Sequence, residues 1–178
     1  MTKYIKFGII AALALLLGSC TEADKFDPNK EVILMTGTDS APLLKFTVEE
    51  TPSTYPITVS ATGKAKEDIT VSIKVDNSLV EKYNAENKTS YYATPEGAVV
   101  LEKSQVVIEK GKATSDISLL SVVSADEFVD GRIYIIPVTI TSVENTELEV
   151  LETSRTLYLR ISRVVYFNSL DISDYGMY

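Results

Sequence analysis

The chain has 178 residues, 45% of them hydrophobic and 24% charged, which is typical of one ordinary globular domain. It contains no histidine, and its only cysteine is Cys20. Catalytic Ser-His and Cys-His pairs, zinc sites with histidine ligands, haem attachment and internal disulfides all need these residues, so this inventory excludes them. We expect no cofactor and no bound metal.

Residues 1–19 have the layout of a signal peptide. Lys3 and Lys6 precede an apolar run over residues 7–17, and eleven residues are too few for a spanning helix, which needs about 20. The sequence Leu17-Gly18-Ser19-Cys20 resembles a bacterial lipobox, in which the cysteine is acylated and becomes the first mature residue. The alternative is a plain secretory signal followed by a chance cysteine. We expect lipidation, because an unpaired exposed thiol would be a liability in an exported protein.

Cleavage before Cys20 would leave an acidic mature chain. Loss of Lys3 and Lys6 leaves 15 basic and 25 acidic residues, a net charge of −10. Such a surface repels nucleic acid and anionic headgroups, so we expect membrane attachment through acyl chains on Cys20 and no nucleic-acid partner. Residues 20–30 are polar, contain Pro28 and lack an apolar period, which predicts a tether.

From residue 31 onward, short β-branched runs alternate with turn signals, which is typical of a sandwich or barrel. Apolar and polar side chains alternate over residues 69–75 and 157–161, so these strands have one buried face and favour antiparallel sheets. We predict about seven or eight strands. The turn signals are Gly37 with Asp39, Pro52-Ser53, Gly63, Asp76-Asn77, residues 95–97, Gly111, Asp130-Gly131 and Glu144-Asn145.

A long apolar run over residues 133–143 contains Pro137. Proline has no N–H for a strand ladder. We therefore expect this strand to lie at a sheet edge or to carry a bulge.

Residues 76–87 break the β pattern and predict a helix of about three turns. Asp76 offers an N-cap, and the alternative is a capping box of Ser78 with Glu81. The apolar face of this helix consists of Leu79, Val80 and Tyr83. We expect Leu79 and Tyr83, four residues apart, to pack the helix onto the sandwich.

At this helix the sequence resembles a known family. The matching segments are Asp68-Ile69-Thr70-Val71, Val75-Asp76-Asn77-Ser78-Leu79-Val80, Tyr83-Asn84-Ala85-Glu86-Asn87, Thr89, Tyr91, Pro95-Glu96-Gly97, residues 107–112 and Pro137-Val138-Thr139-Ile140. They resemble the N-terminal β-sandwich domain of unknown function in Bacteroidetes surface lipoproteins, the type found ahead of LamG-like, discoidin-like or glycoside hydrolase modules. The resemblance covers residues 31–162.

The resemblance implies an all-β, immunoglobulin-like antiparallel β-sandwich with one short inserted helix over residues 31–162. Residues 163–178 would be a C-terminal tail or an extra strand. It further implies a cell-surface lipoprotein anchored in the outer membrane, in a polysaccharide-utilisation setting, and it brings no catalytic residues. We therefore expect a non-enzymatic spacer or interaction module whose partner is a glycan or another surface protein.

The alternative function is carbohydrate binding at a shallow tyrosine-lined site. Tyr91 and Tyr92 follow the predicted helix and are the candidate ligand-binding residues, because sugar faces stack on aromatic rings. Adjacent positions allow one ring to be buried while the other is free. The competing interpretation is that these tyrosines anchor the helix to the sheet.

Without histidine, pairs of neighbouring carboxylates are the remaining candidates for general acid–base catalysis. They occur at Glu49-Glu50, Glu67-Asp68 and Asp126-Glu127, next to turns. Adjacent strand residues point to opposite faces and do not form a catalytic pair, so we interpret them as solvated turn residues. A Ca²⁺ site of Asp126, Glu127 and Asp130 is the alternative, although the spacing lacks the glycine and bidentate glutamate of an EF-hand.

Overall fold

The computed structural model describes residues 30–38, 43–49 and 51–163. The predicted signal peptide, the lipidation site Cys20, the tether up to residue 29 and the tail after Arg163 lie outside the described residues. The elements, in chain order, are β1 (Val32–Met35), β2 (Leu43–Val48), β3 (Ser53–Ile57), β4 (Val59–Ala61), β5 (Ile69–Val75), α1 (Leu79–Asn87), β6 (Tyr92–Ala93), β7 (Val99–Leu101), β8 (Gln105–Ile108), β9 (Ser118–Val122), β10 (Tyr134–Glu144), β11 (Glu149–Val150), a 3₁₀ turn (Glu152–Ser154) and β12 (Thr156–Arg163).

The strands form three sheets that share one core. A six-stranded sheet has the order β2-β12-β10-β5-β8, with β6 also paired to β10, and the two three-stranded sheets are β11-β1-β4 and β3-β9-β7. Inward side chains of all three sheets pack into one hydrophobic cluster. The predicted all-β sandwich with a short helix is therefore confirmed for the described part of the chain.

Most strand pairs are antiparallel, as the alternating patterns predicted. The pairs β1–β11, β2–β12 and β6–β10 are parallel. Twelve strands occur in the described ranges rather than about seven or eight, because pairings of two or three residues carry no alternation that sequence could reveal.

The two clearest patterns are confirmed in detail. Along β5, the side chains of Ile69, Val71 and Ile73 are buried while those between them are more exposed. Along β12, Leu157, Leu159 and Ile161 are buried in the same way. Both strands use one face for the core and leave the other for a second layer or for solvent.

The strand that contains Pro137 is central, so the predicted edge position is wrong. β10 pairs with β12 on one side, where Pro137 lies opposite Tyr158, and with β5 on the other. The carbonyl of Pro137 accepts the N–H of Asp76 at 2.9 Å, just beyond the end of β5. The missing N–H thus faces a position where the β5 ladder has already ended. An irregularity does occur in β10, between Ile140 and Ser142, away from the proline.

α1 has nine residues and begins later than predicted, with Ser78 at the N-cap position. Ser78 makes no side-chain cap, and both its N–H and its hydroxyl donate to Asp76 Oδ1, at 3.2 and 2.6 Å. The predicted capping box of Ser78 with Glu81 is therefore not formed, whereas Asp76 accepts the N–H two residues on, which is the hydrogen bond predicted for it as an N-cap. The carboxylate of Asp76 is used by the turn that leads into the helix.

The helix packs onto the sandwich through Val80 and Tyr83, whereas Leu79 is only partly buried. The prediction for Tyr83 is confirmed, and the prediction that Leu79 is the second anchor is wrong. Val80 and Tyr83 form a separate cluster with Ile135, whose side chain points away from the main core. The face of α1 that contacts Ile135 of β10 contains Val80 and Tyr83, so Val80 is buried there while Leu79 remains partly exposed.

Candidate functional site

Tyr91 is an anchoring residue in the structure. Its ring stacks on that of Tyr83, with centroids 6.0 Å apart and planes 27° apart. The side chain of Asn84 accepts the Tyr91 N–H at 2.9 Å and donates to the Tyr91 carbonyl at 2.8 Å. Ring and backbone are thus both tied to α1.

Tyr92 has a different environment, because its side chain lies on the other side of the chain. It is 44% exposed, the guanidinium carbon of Arg132 lies 4.6 Å from its ring centroid, and the Tyr134 ring is 6.0 Å away. The two predicted candidates therefore pack against different sets of side chains. They do not form one shared aromatic platform.

The acidic neighbours are dispersed over exposed turns. Glu49, Glu67, Asp126 and Glu127 are exposed, and Asp68 accepts the N–H of Lys110 at 2.8 Å; Glu50 lies outside the described residues. Across residues 30–38, 43–49 and 51–163, no group of three or more carboxylate, histidine or cysteine side chains is placed to hold a metal ion. The alternative Ca²⁺ site is therefore not assembled there.

A groove of about 610 Å³ lies on the outer face of the six-stranded sheet. α1 forms one wall, and the 3₁₀ turn with Arg155 forms the other. We call it the helix groove. Its floor is lined by residues of β5, β10 and β12, which are Lys74, Thr139, Ile140, Thr141, Thr156 and Tyr158.

Two ion pairs line the groove. Lys74 Nζ is 2.8 Å from Asp76 Oδ2, and this hydrogen bond, with another from Ser78, holds the pKa of Asp76 below its usual value. The guanidinium of Arg155 donates to both carboxylate oxygens of Glu152, and these bonds hold the pKa of Glu152 below its usual value. Both carboxylates therefore stay ionised.

A third pair lies along the helix wall. Lys82 Nζ is 3.9 Å from Glu86 Oε1 one helical turn away, and both side chains are well exposed. The groove thus contains three cations and three anions, and its formal charge is zero. This balance excludes a strong preference for either sign of ligand charge.

Two phenol rings form the aromatic part of the groove. Tyr83 and Tyr158 are 4.4 Å apart between centroids and tilted by 47°. Burial raises the pKa of both hydroxyls, with a further contribution from Glu86 at Tyr158, so both remain protonated. Neither hydroxyl is hydrogen-bonded to another residue in the described ranges.

This arrangement suits binding better than acid–base catalysis. A general acid needs a carboxyl whose pKa is raised, whereas the pKa values of Asp76 and Glu152 are lowered by their cationic partners. What the groove offers is oriented hydrogen-bond donors and acceptors beside two aromatic rings.

Sequence reasoning missed this groove, although part of the signal was present. Lys74 and Tyr158 occupy the polar side of the two best-predicted strands, and Lys82 and Glu86 are one turn apart on the helix. The sequence does not show that α1 lies across the face of the sheet that carries Lys74 and Tyr158. No helix in the described ranges is long and apolar enough to span a bilayer.

Solved structures define the class of protein. The chain is similar to a candidate carbohydrate-binding protein of Bacteroides ovatus, with a TM-score of 0.61, 17% identity, and 75% of this chain and 37% of that chain covered. It is similar to EndoBT-3987 of Bacteroides thetaiotamicron in complex with a Man5GlcNAc product, with a TM-score of 0.53, 18% identity, and 67% and 28% covered. It is also similar to the Calx CBD1 domain, with a TM-score of 0.52, 11% identity, and 76% and 99% covered. At these identities the likeness establishes a β-sandwich fold.

The family follows from the sequence itself. A family model described as a "-like, N-terminal domain" matches residues 27–147. The chain belongs to this family of N-terminal domains, a Bacteroides family found ahead of glycoside hydrolase modules. The chain spans 28% to 51% of the length of the first three Bacteroides structures it matches, and no curated protein is significantly similar to it in sequence.

Proposed function

We propose that this protein is a non-enzymatic cell-surface lipoprotein whose sandwich serves as a spacer or interaction domain in a polysaccharide-utilisation setting. Its family is found ahead of glycoside hydrolase modules. In EndoBT-3987, the part similar to this chain makes up 28% of the length of that protein. The carboxylates of the helix groove are all paired with cations, which supports a non-catalytic role.

The observation that carries the interaction role is an apolar outer face on the sheet β3-β9-β7. We call it the apolar sheet face, and its exposed members are Val100, Ile117, Leu119 and Val123. On β9, Leu119 points outward between the buried Ser118 and Leu120, and Val100 of β7 lies opposite Ser121. Clustered exposed aliphatic residues mark contact surfaces.

The occupant we assign to this face is a neighbouring protein module with an apolar contact surface. The matched structures from Bacteroides are two to three and a half times longer than the matched part, so in those proteins the sandwich has neighbouring chain to contact. A spacer domain that holds a neighbouring domain in a fixed orientation needs such a contact, whereas a spacer joined to its neighbour only by a flexible linker does not.

Cross-linking in intact cells tests this assignment. The double variant Val100→Lys and Leu119→Lys should lose a specific cross-linked species, because charges desolvated in the contact cost binding. Val129→Lys makes the same change at an equally exposed valine elsewhere, at 48% exposure like Val100, and should retain the species. Identical cross-links in all three proteins would contradict the interaction role.

Membrane attachment is proposed through acyl chains on Cys20. The net charge of the whole chain is −8, so electrostatic attraction to anionic lipids contributes little to membrane attachment. Cys20→Ala should abolish incorporation of labelled palmitate and release the protein from the membrane fraction. Retention of the variant in membranes after a high-salt wash would refute the anchor.

Carbohydrate binding at Tyr92 is the second candidate function. The specific observation in its favour is the exposed ring of Tyr92 beside the Arg132 guanidinium, together with the similarity to a candidate carbohydrate-binding protein. Tyr92→Ala should then remove glycan binding without a loss of stability. Tyr91→Ala should mainly destabilise the fold, because that ring packs on Tyr83.

A further inference from the structure

We propose that the helix groove is a binding site for a neutral saccharide. The groove lies between α1 and the 3₁₀ turn and does not include Tyr91 or Tyr92. The inference goes beyond the spacer role and does not depend on it. It rests on preformed geometry, charge balance and unused hydrogen-bonding groups.

The groove is held open without a ligand. Val80 and Tyr83 fix α1 against Ile135, and Arg155 donates both to Glu152 and to the carbonyl of Ile140 at 3.0 Å. The side chains on both walls are thus oriented by contacts of their own. A preformed site loses less entropy when a ligand binds.

The charge balance selects the class of ligand. A phosphate, sulfate or uronate would need an unpaired cation, yet Lys74, Lys82 and Arg155 each have a carboxylate partner. A polycation would need an unpaired carboxylate. The ligand that fits is uncharged, and it should carry many hydroxyls, because ionised carboxylates retain acceptor sites and the ammonium and guanidinium groups retain donors.

The two phenols supply the more specific observation. Tyr83 is only 7% exposed, and its hydroxyl has no hydrogen-bond partner among the described residues. No buried side-chain nitrogen or oxygen in those residues lacks a partner, so this hydroxyl must retain contact with solvent, and the groove is the cavity that Tyr83 lines. A hydroxyl held rigidly by a buried ring is a ready donor and acceptor for a sugar hydroxyl.

Size and surface agree with this class. The volume of about 610 Å³ falls within the range of roughly 300–1,000 Å³ for small-molecule sites. Tyr158 and Leu79 provide apolar surface for the C–H face of a pyranose, and Thr139, Thr141 and Thr156 line the floor with hydroxyls and methyl groups. Aromatic and apolar contact beside convergent polar groups is the pattern expected for a saccharide.

The test uses the full chain, expressed and purified in detergent, on an array of neutral gluco-, manno- and xylo-oligosaccharides together with acidic, uronate-containing oligosaccharides. Calorimetry with the best probe follows. Tyr83→Phe and Tyr158→Phe each remove one unpaired hydroxyl and should raise Kd about tenfold. Tyr55→Phe removes a hydroxyl on β3, outside the groove, and should change Kd less than about twofold. Tyr92→Phe is measured beside it, because Tyr92 belongs to the second candidate site. Thr153→Trp places a large ring in the groove and should abolish binding while the melting temperature is retained.

The outcomes separate this inference from the proposed functions. Loss of binding in Tyr92→Phe but not in the groove variants would overturn the groove and support the second candidate. Binding of acidic glycans only, or of no glycan at millimolar concentration, would overturn the groove while leaving the spacer role intact. Loss of cross-linking in the apolar-face variants with normal sugar affinity would support both the interaction role and the groove.

Discussion

Asn84 shows how one side chain shapes the chain that follows α1. Its amide pairs with the N–H and the carbonyl of Tyr91 and accepts the Thr89 hydroxyl at 2.8 Å. The turn itself is made by Lys88, whose φ of 54° is left-handed. The asparagines of the family motif are therefore structural in this chain, and they place Tyr91 against Tyr83.

Asn84→Ala should lower the free energy of unfolding by about 2–3 kcal/mol, because it leaves the N–H and the carbonyl of Tyr91 without partners. Asn87→Ala is the matched control, since Asn87 makes one bond, to the Tyr83 carbonyl, and should cost at most about 1 kcal/mol. Urea unfolding measures both. Equal losses in the two variants would show that the Asn84 amide is replaceable, for example by water.

Pro137 and the start of α1 are linked through Asp76. In an antiparallel pair bonded on both sides, the carbonyl of Asp76 would receive the N–H of residue 137. Proline has none, and the Asp76 carbonyl instead accepts the N–H of Leu79 at 3.1 Å, in the first turn of the helix. The proline thus ends the β5 ladder at the point where the chain leaves the sheet.

The contact between α1 and β10 explains the long apolar run of that strand. Residues 134–140 are all buried, with Ile136, Val138 and Ile140 in the main core and Ile135 under the helix. A strand covered on both faces has no polar side to alternate with.

Val80→Ala should cost about 2 kcal/mol, because two buried methyl groups are lost beneath the helix. Leu79→Ala should cost less, about 1 kcal/mol, because Leu79 is partly exposed at the groove. Chemical denaturation of the two variants gives the order. A larger loss for Leu79→Ala would mean that the helix packs through the face first predicted from sequence.

The titratable groups of the whole molecule determine how its stability depends on pH. With no histidine, no side chain of this chain has an ordinary pKa between pH 5 and 8. At Asp116, burial acts to raise the pKa, but hydrogen bonds from the Val107 N–H and Lys103 outweigh it and hold the pKa below its usual value. Asp76 and Glu152 are shifted in the same direction.

Stability should therefore be flat from about pH 5.5 to 8 and fall in acid. A carboxyl with a lowered folded pKa stabilises the fold above its unfolded value, near 4, and this contribution is lost as the pH falls through the folded pKa. Urea unfolding at pH 7, 5, 4 and 3 measures the slope, which should be shallower in Asp76→Asn and Asp116→Asn than in Glu96→Gln, an exposed carboxylate without a described ion pair. A transition centred near pH 6.5 would contradict this account.

Much of the architecture could be predicted from sequence, because its signals are local. The alternation in β5 and β12, the turn glycines with positive φ at positions 37, 97, 111 and 131, and the helix after β5 all depend on neighbours a few residues away. The family likewise followed from short motifs that include Asn84 and Pro137.

Tertiary structure alone decided which strands became central and where the helix lay. Nothing local distinguishes a proline at a sheet edge from Pro137, whose absent N–H faces the end of a neighbouring strand. The different environments of Tyr91 and Tyr92 and the convergence of Lys74, Tyr83 and Arg155 on one groove join residues far apart in the chain. Alternation shows that a strand has two faces, but which element covers each face depends on long-range packing.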